Sequence, residues 1–195
     1  SLSDAEIKLS LEKINQLKFE RVGQKLEVNL VAIKQNKDAG RFLEITKLVL
    51  NNTSLAVMLM SNDLASLKQA SAQAEERKPL LYCATKENFT QIARIAKELD
   101  LPLVVVAQDI TSLAQLTKDL NALGVNNLIL DTGEKPVSEK IWDLTQIRRQ
   151  ALKKSNRALG YPALVIVEKT DFYEEAEEAA AYIAKYAGIV LIKGV

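Results

Sequence analysis

Apolar residues fall into short runs separated by amphipathic stretches. Seven runs stand out: Leu26 to Ile33, Leu55 to Met60, Leu80 to Ala84, Leu103 to Ala107, Asn127 to Asp131, Ala163 to Val167 and Ile189 to Ile192. Most are continuous, the pattern of strands covered on both faces in a parallel sheet. The first departs from it, with Glu27 and Asn29 alternating among apolar neighbours. The stretches between read as helices. Phe89, Ile92, Ala93, Ala96 and Leu99 share one helical face, as do Leu113, Leu116, Leu120 and Leu123. Ile141, Leu144, Ile147, Ala151 and Leu152 mark the longest helix.

Turn residues agree with this alternation. Ser3 followed by Glu6 forms a capping box. Thr85, Asp109 and Asp171 are expected to cap later helices. Gly124, Gly160 and Gly188 stand where helices should stop in a left-handed residue. Pro79, Pro102 and Pro162 lead into strands, and Pro136 suits the first turn of a helix. The regular βα period favours an α/β fold of the TIM (β/α)8 type over an open sheet. Seven strands are visible, so the expectation is one barrel domain over residues 1–195, cut at both ends. A seven-stranded or open sheet is the alternative.

Composition narrows the chemistry. Lys plus Arg is 26 and Asp plus Glu is 25, for a net charge of +1. That balance argues against phosphate-driven nucleic-acid binding. No histidine is present, which excludes histidine bases, Ser-His-Asp systems and histidine-ligated metals. Cys83 is the one cysteine, too few for a disulfide, a four-cysteine zinc site or an iron–sulfur cluster. Neither a Walker loop nor a dinucleotide fingerprint occurs. The apolar runs are too short to span a membrane, and no secretory signal opens the sequence, so a cytoplasmic location is expected.

In a parallel barrel the chemistry gathers where strands end. The residues there are Lys34, Gln35 and Asn36; Asn62 and Asp63; Thr85 and Lys86; Gln108 and Asp109; Asp131, Thr132 and Gly133; Glu168 and Lys169; and Lys193. Asn36, Asn62, Asp109, Asp131 and Lys193 are the binding candidates. Asp131 could accept hydrogen bonds from a heterocycle, or could simply close a turn. A desolvated Lys193 could form a Schiff base, or could reach solvent. Asn36 and Asn62 could meet a ligand's amide edge, or satisfy loop backbone. Cys83 reads as an inert strand thiol. Arg149, Lys153 and Arg157 form a basic stripe, read as a solvated helix face. Glu174, Glu175, Glu177 and Glu178 lie near the start of a helix, where the macrodipole favours them, and need no functional reading. No catalytic pair and no metal site emerges.

Five segments carry a family likeness: LKFERVGQKLEVNLVAIK from Leu17, KPLLYCATKENF from Lys78, LPLVVVAQD from Leu101, DLTQIRRQALKKSNRALGYP from Asp143 and AAAYIAKYAGIVLIKG from Ala179. The sequence resembles, end to end, the large (gamma) subunit of the corrinoid iron–sulfur protein of the acetyl-CoA synthase/decarbonylase (CO dehydrogenase) complex. That resemblance implies a scaffold barrel of a methyl carrier in acetyl-CoA pathway carbon fixation. In the family a cobalamin takes a methyl group from a methyl-tetrahydropterin or methyl-tetrahydrofolate and passes it to acetyl-CoA synthase. It implies that the cobalamin and a [4Fe-4S] cluster sit in domains outside these residues. It also implies a heterodimer with a small barrel subunit, and contact with a pterin/folate methyltransferase and acetyl-CoA synthase. Nucleic acid and membrane are not among the implied partners. The family's Asp-Pro-Gly-Thr turn is here Asp131-Thr132-Gly133-Glu134. No catalytic residue carries over. A methyl-pterin-binding barrel methyltransferase using Asp131 is the alternative.

Overall fold

The computed structural model describes residues 2–193. They form two compact units: one holds the residues up to Tyr82 with Glu98–Leu101, the other Cys83–Lys97 and the residues from Pro102 on.

The first unit opens with α1 (Asp4–Gln16) behind the expected capping box, in which Glu6 Oε2 accepts from the Ser3 N–H at 2.7 Å. Two short strands, β1 (Lys18–Arg21) and β2 (Gln24–Glu27), then pair antiparallel. They are joined by Val22 and Gly23, both at positive φ (51° and 72°). Next come β3 (Leu30–Lys34), α2 (Ala39–Asn52), β4 (Ala56–Met60), α3 (Leu64–Gln73) and β5 (Leu80–Ala84), whose first three residues belong to this unit. β3, β4 and the start of β5 pair in parallel, Leu30 beside Ala56 and Met58 beside Leu80. Val57, Met58 and Leu59 are buried from both sides, as the unbroken apolar run requires.

The second unit contains α4 (Phe89–Glu98) up to Lys97, then β6 (Leu103–Val106), α5 (Ile110–Ala122), β7 (Leu128–Asp131), α6 (Val137–Lys153), β8 (Leu164–Val167), α7 (Phe172–Ala184) and β9 (Ile189–Ile192). β6 pairs in parallel with β7, and β8 with β9. Among the described residues one parallel bridge, Leu130 to Ala163, connects the two pairs. Leu144, Val165, Val167, Ala179 and Tyr182 form one core cluster beneath α6 and α7.

The seven strands read from the sequence are β3 to β9, each a parallel element in a strand–helix alternation. Several local readings change. The run Leu26 to Ile33 is not one strand: it divides at Val28 and Asn29 between the hairpin and β3. Of the two polar residues that interrupted it, Glu27 ends β2 and Asn29 lies in the break before β3. Of the three expected helix-ending glycines only Gly124 is left-handed, at φ 89°. Gly160 has φ −83° and follows a 3-10 turn, and Gly188 is not among the positive-φ residues. Asp109 and Asp171 cap α5 and α7 as expected, and Asp38 and Asp63 cap α2 and α3. Before α4 the Thr85 N–H donates to Asn88 Oδ1 at 2.8 Å, and the Thr85 carbonyl accepts from the Phe89 N–H at 3.0 Å. The basic stripe is broken, because α6 ends at Lys153 and Arg157 lies on a separate 3-10 turn. Leu152 is exposed rather than part of the α6 apolar face. No described helix is long and apolar enough to cross a membrane.

Candidate functional site

The densest buried polar cluster in the second unit lies where β7 ends. Asp131 is the last residue of that strand and is only 3 % exposed. Its Oδ1 accepts from the Gly133 N–H at 2.9 Å and from Lys140 Nζ at 2.7 Å. Lys140, in the first turns of α6, is likewise buried and also donates to the Gly133 carbonyl. One turn along α6, the buried Asp143 accepts from Lys135, in the loop before the helix. Two ion pairs therefore staple the β7–α6 loop to its helix. Burying four charges is tolerable only because each has a partner of opposite sign close by.

Gly133 makes that loop possible. It has φ 74°, and a Cβ built there would lie 2.6 Å from Gln108 Nε2. Beside it, Thr132 is buried, and its hydroxyl has no hydrogen-bond partner. Asp109 sits apart on the exposed start of α5, accepting from the Ser112 N–H at 2.8 Å. Hydrogen bonding to Ser112 holds its carboxyl below the usual range, with a smaller contribution from the charge of Lys135.

Cys83 lies on β5, half-buried. Burial, helped by the charge of Asp131, pushes its thiol up to about 12. A thiol held in that form is neither a ready nucleophile nor a ready metal ligand. A [4Fe-4S] cluster needs four thiolates, so these residues do not fit one. No group of three or more His, Cys, Asp or Glu able to hold a metal occurs among the described residues.

The remaining candidates are more open. Lys193 follows β9 with an exposed side chain, and its backbone N–H donates to the Val167 carbonyl at 3.3 Å. That exposure does not match the desolvated setting that Schiff-base chemistry asks of a lysine. In the first unit Asn36 and Asn62 are both exposed. Next to them, the Gln35 N–H donates to the Met60 carbonyl at 2.8 Å, and the Ser61 hydroxyl donates to Gln35 Oε1. Asp63 is engaged at the start of α3, accepting from the Ala65 N–H at 3.1 Å and from the Ser66 hydroxyl.

Sequence reasoning missed Lys135, Lys140 and Asp143. The spacing held a signal: Lys140, Leu144 and Ile147 fall on one helical face, with Asp143 beside them. The acidic cluster does open α7, with Glu174 and Glu175 in its first turn, and Glu175 is buried there. Glu178 Oε1 accepts from the Tyr182 hydroxyl at 2.7 Å, and its Oε2 lies 3.1 Å from Lys169 Nζ.

Comparison with known proteins places this geometry in context. The family model described as CO dehydrogenase/acetyl-CoA synthase delta subunit matches residues 1–195. The chain is 38% identical over 194 residues to the corrinoid/iron-sulfur protein large subunit of Moorella thermoacetica, covering 99% of this chain and 44% of the relative. It is 28% identical over 207 residues to the acetyl-CoA decarbonylase/synthase complex subunit gamma of Methanothermobacter thermautotrophicus, covering 99% and 45%. It thus spans less than half the length of these relatives. Among solved structures it resembles the TIM-barrel dihydropteroate synthases. The Yersinia pestis enzyme gives a TM-score of 0.64 at 13% identity, over 97% of this chain and 79% of that one. The Thermus thermophilus enzyme gives 0.60 at 14%, over 96% and 81%. At such identities the likeness establishes the fold alone.

Proposed function

Because the chain belongs to the CO dehydrogenase/acetyl-CoA synthase delta subunit family, we propose that it is the scaffold barrel of a corrinoid iron–sulfur methyl carrier in acetyl-CoA synthesis or cleavage. The large-subunit and gamma names of its relatives favour the large-subunit role. The methyl group would pass from a methyl-tetrahydropterin or methyl-tetrahydrofolate to acetyl-CoA synthase on a corrinoid held outside these residues. The supporting partner set is a small barrel subunit, a pterin/folate methyltransferase and acetyl-CoA synthase, in the cytoplasm.

The observation that carries this reading is the Asp131–Lys140 pair. A barrel that binds a pterin at a strand-end carboxylate needs that carboxylate facing the ligand. Here Asp131 accepts from a buried ammonium and a backbone N–H, so its charge is committed to holding the β7–α6 loop. The half-buried Cys83 thiol, held in its protonated form, agrees with a structural role.

A second reading, a methyl-pterin-binding methyltransferase, draws support from the buried, unpartnered Thr132 hydroxyl beside Asp131. Calorimetry with methyl-tetrahydrofolate separates the two. The scaffold reading expects no binding heat, a colourless chain, and co-elution with the small subunit on size exclusion. Saturable heat that disappears in Asp131→Ala would overturn it in favour of the methyltransferase.

A further inference from the structure

The β1–β2 hairpin offers a self-complementary edge, and we propose that it pairs with the same hairpin of a second copy of this chain through β2. All eight strand residues are exposed, among them Phe19 at 59% and Leu26 at 43%. A two-stranded ribbon exposed on both faces is marginal in water on its own. Its two faces differ. Phe19 opposes Leu26 and Arg21 opposes Gln24 on one; Lys18 opposes Glu27 and Glu20 opposes Lys25 on the other. The first face carries an apolar pair; the second is a charged lattice.

Hairpin geometry fixes which backbone groups are available. The two-residue Val22-Gly23 loop, with both residues at positive φ, closes on a hydrogen-bonded pair, Arg21 with Gln24. Pairs then alternate, so the N–H and C=O of Leu26 turn inward to Phe19. Those of Lys25 and Glu27 turn outward, and no strand covers them among the described residues.

An antiparallel two-fold pairing centred on Leu26 uses those outward groups. Leu26 faces the second copy's Leu26 as a close, non-hydrogen-bonded pair. Lys25 faces the second copy's Glu27, and Glu27 its Lys25, each exchanging two backbone hydrogen bonds. The register demanded by the backbone is thus also the one that sets opposite charges against each other. On the other face, Phe19, Leu26 and their two symmetry mates line up as one apolar stripe across a four-stranded sheet. The edge of β1 is the poorer template, because the chain leaves extended conformation at Leu17, the cap of α1, whose N–H donates to the Ile14 carbonyl.

Sedimentation equilibrium of the chain tests the pairing. The expected mass rises with concentration toward twice 21.6 kDa. Lys25→Pro removes an outward N–H while leaving every bond within the hairpin, and should weaken association at least tenfold. In a Cys83→Ala background, Leu26→Cys should cross-link readily under mild oxidation, and Gln24→Cys should not. A monomer at every concentration, association unaffected by Lys25→Pro, or equal cross-linking at positions 24 and 26 would overturn the proposal. So would a hairpin that associates only with a different protein.

Discussion

Lys140 Nζ lies 2.7 Å from Asp131 Oδ1, with side chains only 6% and 2% exposed. A helix residue thereby anchors the end of the preceding strand. Lys140→Met would strand a buried carboxylate and should cost about 3–5 kcal/mol in urea unfolding. Replacing both partners with apolar residues should cost less, because no uncompensated charge remains. Equal losses in the single and double variants would contradict this account.

Gly133→Ala should destabilise by about 1–3 kcal/mol, the range for a side chain forced into a left-handed conformation. Adding Gln108→Ala removes the steric contact but not the backbone strain. The double variant should therefore recover only part of the loss, since Gln108 is exposed and can swing aside. Thermal melts of the three proteins give the comparison.

Cys83 should resist alkylation. With the thiol pushed up to about 12, the thiolate fraction at pH 8 is roughly three orders of magnitude below that of a free cysteine. Iodoacetamide should modify it only after denaturant is added. The linkage has a definite sign. Above the ordinary value of 9.0 the unfolded thiol ionises while the folded one keeps its proton, so stability should fall as pH rises from 9.0 toward about 12. Cys83→Ala should flatten that alkaline limb.

At the acid end the capping carboxylates carry a second pH dependence. Asp63 is held below its ordinary 3.8 by the Ser66 hydroxyl and the Ala65 N–H, and Asp109 by Ser112. Depressed carboxyls contribute stability that is complete above 3.8 and lost as pH falls through their folded values. Asp109→Asn should reduce the slope of urea midpoint against pH below 3.8 and leave the slope near neutrality unchanged.

The strand–helix alternation was legible because continuous apolar runs and amphipathic helices are local signals. Val57 to Leu59 and Leu103 to Val105 are buried as their sequence demands. The hairpin was not legible as such, since its strands bury nothing and a four-residue alternation merges into the run that follows. The β7–α6 cluster shows a second reason. Asp131 was visible as a strand-end carboxylate, but its partner sits nine residues on. The helical spacing puts Lys140 on the inner face with Leu144 and Ile147, but which carboxylate it meets across the loop depends on where the helix is set down. Glu175 shows the same limit: one acidic run supplies both exposed residues and a buried one, according to how α7 rolls onto its core.

The Leu130–Ala163 bridge, the one between these strand pairs among the described residues, makes a seam in the second unit. On one side β6 and β7 share a full ladder, and on the other β8 and β9 do. Opening that seam breaks few backbone bonds, so β8, α7 and β9 can detach as one cooperative block while β6 and β7 stay closed. Amide protons in Leu164–Val167 and Ile189–Ile192 would then exchange together, earlier than those of Leu103–Val106. The chain would carry its own order of disassembly, running inward from α7.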